Sequence, residues 1–138
     1  IALNSLSISD LPNFLQLIVD LENKYNRPIG LRQNQVVFPI WCNPFILPKE
    51  YSIYIDQSIE ILNKHQKFHD DCYHMYGSWM SYKKFLLQMK TSMSNETKDQ
   101  HARRLFATNV DLLSKRRGLN FQEAFPEMID FYEECKKI

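Results

Sequence analysis

The chain has 138 residues, of which 44% are hydrophobic, and a formal net charge of +1. That length fits one domain with a sizeable core, and that composition argues against a chain disordered throughout. The balanced charge lacks the basic excess of most nucleic-acid-binding domains, and no apolar run is long enough to span a membrane. With only three glycines, no two of them close together, the sequence also excludes a Gly-rich phosphate-binding loop.

The start of the chain and its cysteines predict its context. The sequence begins at Ile1 rather than Met and shows no signal peptide, so we expect residues 1–138 to form a single helical domain of a larger protein. Cys42, Cys72 and Cys135 cannot all pair within one chain, and they lack the spacing of a disulfide framework. This usage favours a reducing, intracellular location, cytoplasmic or nuclear.

The N-terminal segment predicts one amphipathic helix. Residues 1–9 are weakly amphipathic, which is typical of a strand or a loose arm. Ser9 or Asp10 then caps a helix that tolerates Pro12 in its first turn. The predicted apolar stripe of this helix is Leu11, Phe14, Leu15, Ile18, Leu21 and Tyr25.

A Pro-rich stretch follows, with four of the six prolines lying between Pro28 and Pro48. Prolines at that spacing are incompatible with a long helix. Residues 36–38 have the composition of a short strand, and Trp41 and Phe45 are bulky and apolar. The stretch is neither Gly/Ser-rich nor highly charged, as a flexible linker would be. We therefore expect an ordered loop that its aromatic residues pin to the domain.

The stretch from Leu47 to Trp79 predicts the longest helix, against which the other segments pack. Pro48 and Glu50 suit a first turn, and apolar residues then recur at every third or fourth position. Gly77 is where this helix could end or bend. Its predicted stripe is Ile55, Ile59, Leu62, His65, His69, Cys72 and Tyr76.

Three helical segments follow. Ser81–Met93 either continues the long helix past a bend or forms a separate one, and a polar turn then precedes a helix of about Thr97–Arg117, which Gly118 ends. The regular part of the last segment begins near Phe125. Together the segments predict an all-α fold, an irregular bundle of about five helices with one Pro-rich ordered loop. The stripes of the last two helices are Ala102, Leu105, Phe106, Asn109, Leu112 and Leu113, then Phe121, Phe125, Met128, Ile129, Tyr132 and Cys135.

A metal site is one functional hypothesis. His65, His69 and Cys72 share one face of the long helix, and Cys42 could supply a fourth ligand from the Pro-rich loop. The sequence shows neither a Cys-x-x-Cys nor a His-Glu-x-x-His pairing. We therefore favour a core or boundary role for these residues and expect no cofactor and no stoichiometric zinc.

Nucleic-acid binding is a second hypothesis, carried by the basic side chains of the helix before Gly118. Basic residues in a last turn also complement the helix dipole, and the next segment is acidic. We expect these two helices to pack antiparallel, with Arg103 and Arg104 near Glu133 and Glu134, and Lys115 to Arg117 near Glu123 and Glu127. Nucleic acid is therefore a partner that we do not favour. The candidate residues are Arg103, Arg104, Lys115, Arg116 and Arg117.

Protein binding is the function that the sequence favours. No nucleophile motif or pair of facing carboxylates predicts catalysis, so we expect a non-enzymatic interaction or regulatory domain whose partner is another protein. Large aromatic residues are enriched at interfaces. We predict a binding surface on and after the Pro-rich loop, with at least one ring substantially exposed; four buried rings would instead make the loop a structural lid. The candidate residues are Trp41, Phe45, Tyr51 and Tyr54.

Overall fold

The computed structural model describes residues 2–32, 34–65, 79–94 and 97–138. In these ranges six α-helices and one two-stranded sheet make up the regular structure, which confirms the predicted all-α bundle. The elements are β1 (Ala2–Leu3), α1 (Leu11–Tyr25), β2 (Asn34–Gln35), α2 (Ser52–Lys64), α3 (Trp79–Met93), α4 (Gln100–Arg117), α5 (Phe121–Ala124) and α6 (Ile129–Lys136). Single 3-10 turns lie at Ile40–Cys42, Pro44–Ile46, Lys49–Tyr51 and Pro126–Met128.

The N-terminal arm is attached to the Pro-rich loop. β1 pairs with β2 in parallel, with Ala2 opposite Asn34. The Ser5 amide donates to the Cys42 carbonyl at 2.8 Å, and the Ser5 hydroxyl donates to the Trp41 carbonyl at 3.0 Å. The arm therefore adds hydrogen bonds that hold the loop in place.

The predicted strand at residues 36–38 is wrong in position, because β2 lies at Asn34–Gln35. The Val36 amide still donates to the Leu3 carbonyl at 2.9 Å. Val37 and Phe38 are exposed, and Phe38 is 77% exposed. The loop thus presents to solvent two apolar side chains that their composition had assigned to a strand.

Helix α1 forms as predicted, but its buried face is rotated. Phe14 and Tyr25 are exposed, whereas Glu22 is only 1% exposed. The Glu22 carboxylate accepts a hydrogen bond from the Ile29 amide at 2.6 Å and so fixes the chain that leaves the helix. A hydrogen-bonded carboxylate can occupy a core position that a hydropathy pattern gives to an apolar residue. The buried residues of α1 are Leu11, Leu15, Ile18, Val19 and Glu22.

The predicted helix from Leu47 to Trp79 is not one unbroken helix. A 3-10 turn at Lys49–Tyr51 leads into α2, which ends at Lys64, and His65 leaves the helical conformation with φ −121° and ψ 34°. Residues 66–78 lie outside the described part of the chain, and α3 is described from Trp79. The longest described helix is α4.

The core lies where α1 packs on α2, α2 on α3, and α4 on α6. Trp79, Tyr82, Phe106 and Phe131 are among its largest fully buried side chains. The Pro-rich loop lies across this core as predicted, since its 3-10 turns contact α3 and α4. Pro44, Ile46 and Leu47 of the loop are buried.

Helices α4 and α6 run antiparallel. Arg103 Nη1 lies 3.2 Å from a Glu134 carboxylate oxygen, and the Tyr132 hydroxyl donates to the Asp111 carboxylate. The predicted pairing of Arg103 with Glu134 is thereby confirmed. Lys115, Arg116 and Arg117 form no described ion pair with Glu123 or Glu127, because the α5 segment and the turn after it carry these two carboxylates elsewhere.

Candidate protein-binding groove

The four aromatic residues predicted to bind a partner differ in burial. Tyr51 is buried, whereas Trp41, Phe45 and Tyr54 are half-buried and pack against the core. The prediction of a substantially exposed ring among these four is therefore wrong. The alternative of a fully buried lid is not met either, because three of them keep part of their surface in solvent.

Trp41 and Phe45 hold the Pro-rich loop on the bundle. The Phe45 amide donates to Asn43 Oδ1 at 3.0 Å, and the Phe45 carbonyl accepts a hydrogen bond from the Lys98 ammonium at 3.4 Å. Burial, followed by the nearby charge of Arg103, lowers the pKa of Lys98. The backbone of Phe45, and the Trp41 carbonyl that accepts from the Ser5 hydroxyl, therefore help to fix the loop.

Tyr51 and Tyr54 line a groove of about 370 Å³ between the start of α2 and the segment that enters α6. Their ring centroids lie 6.1 Å apart, and Tyr51 meets Phe131 edge-on at 6.0 Å. The Tyr51 hydroxyl donates to the Glu127 carbonyl at 2.9 Å. This bond joins the two walls of the groove and fixes the Tyr51 ring.

The local sequence explains why these side chains share one surface. Pro48 fixes the start of the 3-10 turn, which continues directly into α2. Tyr51 and Tyr54 are three residues apart, so they lie on neighbouring positions of one helical face. Ile53 stands beside them at the groove and is 55% exposed. An apolar floor with one exposed aliphatic residue results.

Carboxylates surround this floor. Glu50, Glu127, Asp130 and Glu134 line the groove, and no Lys, Arg or His is among its described lining residues. Glu134 is paired with Arg103, but the other three carboxylates form no ion pair with any described residue. The groove therefore combines an apolar floor with a negative, accessible rim.

Burial and the nearby carboxylates raise the pKa values of the two tyrosine hydroxyls. Burial raises the pKa of Tyr51 well above its usual range, and Tyr54, Glu127 and Asp130 raise it further. Burial and then Glu127 raise the pKa of Tyr54. Both phenols therefore stay protonated at neutral pH and act as neutral hydrogen-bonding groups.

A second hollow of about 520 Å³ adjoins the groove, since Tyr54 and Glu127 line both. It adds Asp10 to the acidic side chains and Leu6 and Phe125 to the apolar ones. We call the two adjoining hollows together the trough.

The basic candidates are separated by the fold. Arg103 is 5% exposed, its Nε donates to the Ile46 carbonyl at 2.8 Å, and its guanidinium lies 5.4 Å from the Phe131 ring centroid. Arg104 is exposed and donates to the Ile138 carbonyl. Lys115 to Arg117 are exposed in the last turn of α4, where they complement the helix dipole. Arg103 is therefore lost from the basic surface that nucleic acid would meet.

The metal hypothesis concerns residues that mostly lie outside the described ranges. His65 is half-buried at the end of α2, whereas His69 and Cys72 belong to the stretch 66–78. Cys42 is a half-buried thiol whose pKa is raised by burial. Among the described residues, no group of three or more His, Cys, Asp or Glu side chains is placed to hold a metal ion.

Sequence reasoning missed the rim of the groove. Glu127 was expected to face the basic end of α4, and Ile53 lay outside the predicted stripe of its helix. The helical spacing of Glu127 and Asp130, three residues apart, signals a shared acidic face, but it does not say which element that face meets. The turn at Pro126–Met128 decides this by bringing Glu127 against Tyr51.

The described structure is an irregular all-α bundle with an acidic trough over an aromatic floor. No family model, no curated protein and no solved structure matches the chain. None of the helices in the described ranges is both long and apolar enough to cross a membrane.

Proposed function

We propose that this chain is a non-enzymatic protein–protein interaction or regulatory domain that binds its partner in the groove around Tyr51, Ile53 and Tyr54. The observation that carries the proposal is the exposed Ile53 beside half-buried and buried tyrosines at the mouth of a formed groove. Tyrosines are frequent interface anchors, and such anchors lie in pockets rimmed by polar residues.

The groove is already ordered for binding. The Tyr51 ring is held by Phe131 and by its hydrogen bond to Glu127, so a partner need not immobilise it. Each rotamer-rich side chain ordered at an interface costs about 0.5–1.5 kcal/mol.

The described lining contains no Ser, Cys or His side chain, so its carboxylates and phenols suit non-covalent binding.

A second apolar surface competes with the groove. Val37 and Phe38 project from the Pro-rich loop and are both exposed. They are adjacent in sequence, whereas the groove gathers side chains from α2, the turn before α6 and α6 itself. A concave site with convergent polar groups is the better binding hypothesis.

The test uses two matched substitutions. Ile53→Glu and Leu17→Glu each place a charge at an exposed helical position, and their native side chains are 55% and 53% exposed. The chain and each variant are used to capture proteins from an extract of the source cells, with folding checked by circular dichroism. We expect Ile53→Glu to reduce the recovery of a specific captured protein at least about tenfold, the equivalent of about 1.4 kcal/mol.

Leu17→Glu should leave that recovery unchanged. Phe38→Ser serves as the second comparison. The proposal fails if recovery is lost with Phe38→Ser and retained with Ile53→Glu, because the partner would then bind the loop and not the groove.

A further inference from the structure

We propose that the groove binds a basic segment of the partner protein, in which lysine or arginine side chains flank an apolar anchor. This inference rests on the function proposed above and names the chemistry of the occupant. The apolar anchor lies over Pro48, Ile53 and Tyr54, and the cationic groups meet Glu50, Glu127 and Asp130.

The charge of the trough selects a cationic occupant. Glu50, Glu127 and Asp130 are exposed and surround one hollow, and Asp10 adds a fourth carboxylate in the adjoining hollow. Glu50 interacts electrostatically with Lys98, whereas Glu127 and Asp130 have no ion-pair partner among the described residues. Bringing like charges together without a counter-charge is unfavourable, and it is relieved when complementary charge arrives. An acidic partner, including the phosphate backbone of a nucleic acid, would be repelled here.

Buried Arg103 determines which carboxylates of the groove remain unpaired. Arg103 is buried, pairs with Glu134 at 3.2 Å and donates to the Ile46 carbonyl, so it neutralises one of the four carboxylates that line the groove. The exposed rim therefore keeps the unpaired carboxylates on the solvent side. Because they lie at a rim, they contribute to association rate and selectivity more than to buried interaction energy.

The aromatic floor fits the same occupant. Lysine and arginine carry apolar stems below their charged ends, and these stems pack on apolar surfaces while the charge stays in water. A cation above a tyrosine face gains a further attraction, and Tyr54 keeps part of its ring accessible. The volume of about 370 Å³ lies within the range of clefts that hold a few side chains, about 300–1,000 Å³.

A second copy of this chain is the rival occupant. Lys115, Arg116 and Arg117 are exposed and are followed by exposed Leu119, which is a basic segment with an apolar residue. Such a contact would join two different surfaces of the chain, and repeating it would build rings or open filaments. We assign the groove to another protein, and self-association is an outcome of the test.

The test measures binding of short fluorescent peptides by anisotropy. The probe KRLLRK carries the proposed chemistry, and EELLEE and QQLLQQ keep its apolar centre with opposite or no charge. We expect KRLLRK to bind at least about tenfold more tightly than QQLLQQ. This preference should weaken between about 0.01 M and about 1 M ionic strength, as the Debye length falls from about 30 Å to about 3 Å.

The matched variants remove two carboxylates each. Glu127→Gln with Asp130→Asn acts on the groove, whereas Asp20→Asn with Glu60→Gln removes the same charge from exposed sites elsewhere. The groove variant should weaken KRLLRK binding by roughly tenfold, and the control by less than about twofold. Equal binding of all three peptides, equal effects of the two variants, or no binding of KRLLRK would overturn the proposal.

Failure of this inference is separable from failure of the proposed function. Loss of QQLLQQ binding with Ile53→Glu, without any effect of charge, would keep the groove as the site and reject a basic occupant. Self-association that disappears with Lys115→Glu, Arg116→Glu and Arg117→Glu would replace the partner protein with a second copy.

Discussion

At the scale of single residues, two charged side chains occupy buried positions in helices where the sequence pattern predicts apolar ones. Glu22 and Arg103 occupy buried positions because each satisfies a backbone group, the Ile29 amide and the Ile46 carbonyl. Phe14 and Leu112, which the apolar pattern assigned to the buried stripes of the same two helices, are exposed. A polar group is buried at little cost when it is hydrogen-bonded, and hydropathy patterns contain no information on such partners.

Two tyrosines make a testable contrast at this scale. The Tyr82 hydroxyl is buried and has no hydrogen-bond partner among the described residues, whereas the Tyr51 hydroxyl donates to the Glu127 carbonyl. We expect Tyr82→Phe to raise the free energy of unfolding by about 1–3 kcal/mol, since it removes an unsatisfied hydroxyl. Tyr51→Phe should lower it by about 1 kcal/mol. Urea unfolding of both variants measures the difference, and a loss of stability in Tyr82→Phe would contradict the expectation.

At the scale of elements, the spacing of apolar residues and the Pro and Gly residues between segments predicted α1, α3 and α4 with nearly their observed ends. The last helix was expected to begin near Phe125, whereas α6 begins at Ile129 after the 3-10 turn at Pro126–Met128. Gly118 ends α4 in the left-handed conformation, with φ 61°, as expected of a residue without a Cβ. The prediction of one long helix was wrong because the helical spacing of apolar residues continues past His65 in the sequence, whereas the chain leaves the helical conformation at that residue. Tyr51 and Tyr54 could be found from sequence, but their acidic neighbours could not, since only the turn before α6 brings those neighbours to α2.

Asp10 and Asp99 each precede a helix but differ in their capping bonds, and this gives a prediction for the helices. The Asp99 carboxylate accepts the Ala102 amide at 3.0 Å, whereas Asp10 makes no side-chain capping bond to α1. We expect Asp99→Ala to lower the free energy of unfolding by about 0.5–2 kcal/mol. Asp10→Ala should change it by less than about 0.5 kcal/mol. Chemical denaturation compares them, and equal losses would show that the cap of α4 is not the cause.

At the scale of the whole molecule, burial links the stability of the bundle to alkaline pH. Burial raises the pKa of the Cys135 thiol from 9.0 to about 12, with Arg103 opposing this shift. Burial also raises the pKa values of Tyr51 and Tyr82. Above about pH 9 the unfolded chain loses protons that the folded chain keeps, so the unfolded state binds fewer protons and the free energy of unfolding falls as pH rises.

We therefore expect stability to be steady between about pH 7 and pH 9 and to fall between about pH 9 and pH 12, with each such group contributing up to about 1.4 kcal/mol per pH unit. Urea unfolding over this range measures the slope. Cys135→Ala removes one of the groups and should make the slope shallower, whatever it does to stability at pH 8. A slope that the substitution leaves unchanged would remove Cys135 from this account.

We have proposed the groove between α2 and α6 as the surface that a partner protein meets. Amide chemical shifts of the labelled chain, followed by NMR as the captured partner is added, locate the contact residue by residue. The account predicts that the largest shifts fall at Tyr51 to Tyr54 and at Glu127 to Phe131. Shifts concentrated at Val37 and Phe38, or at Lys115 to Arg117, with the groove unchanged, would contradict it.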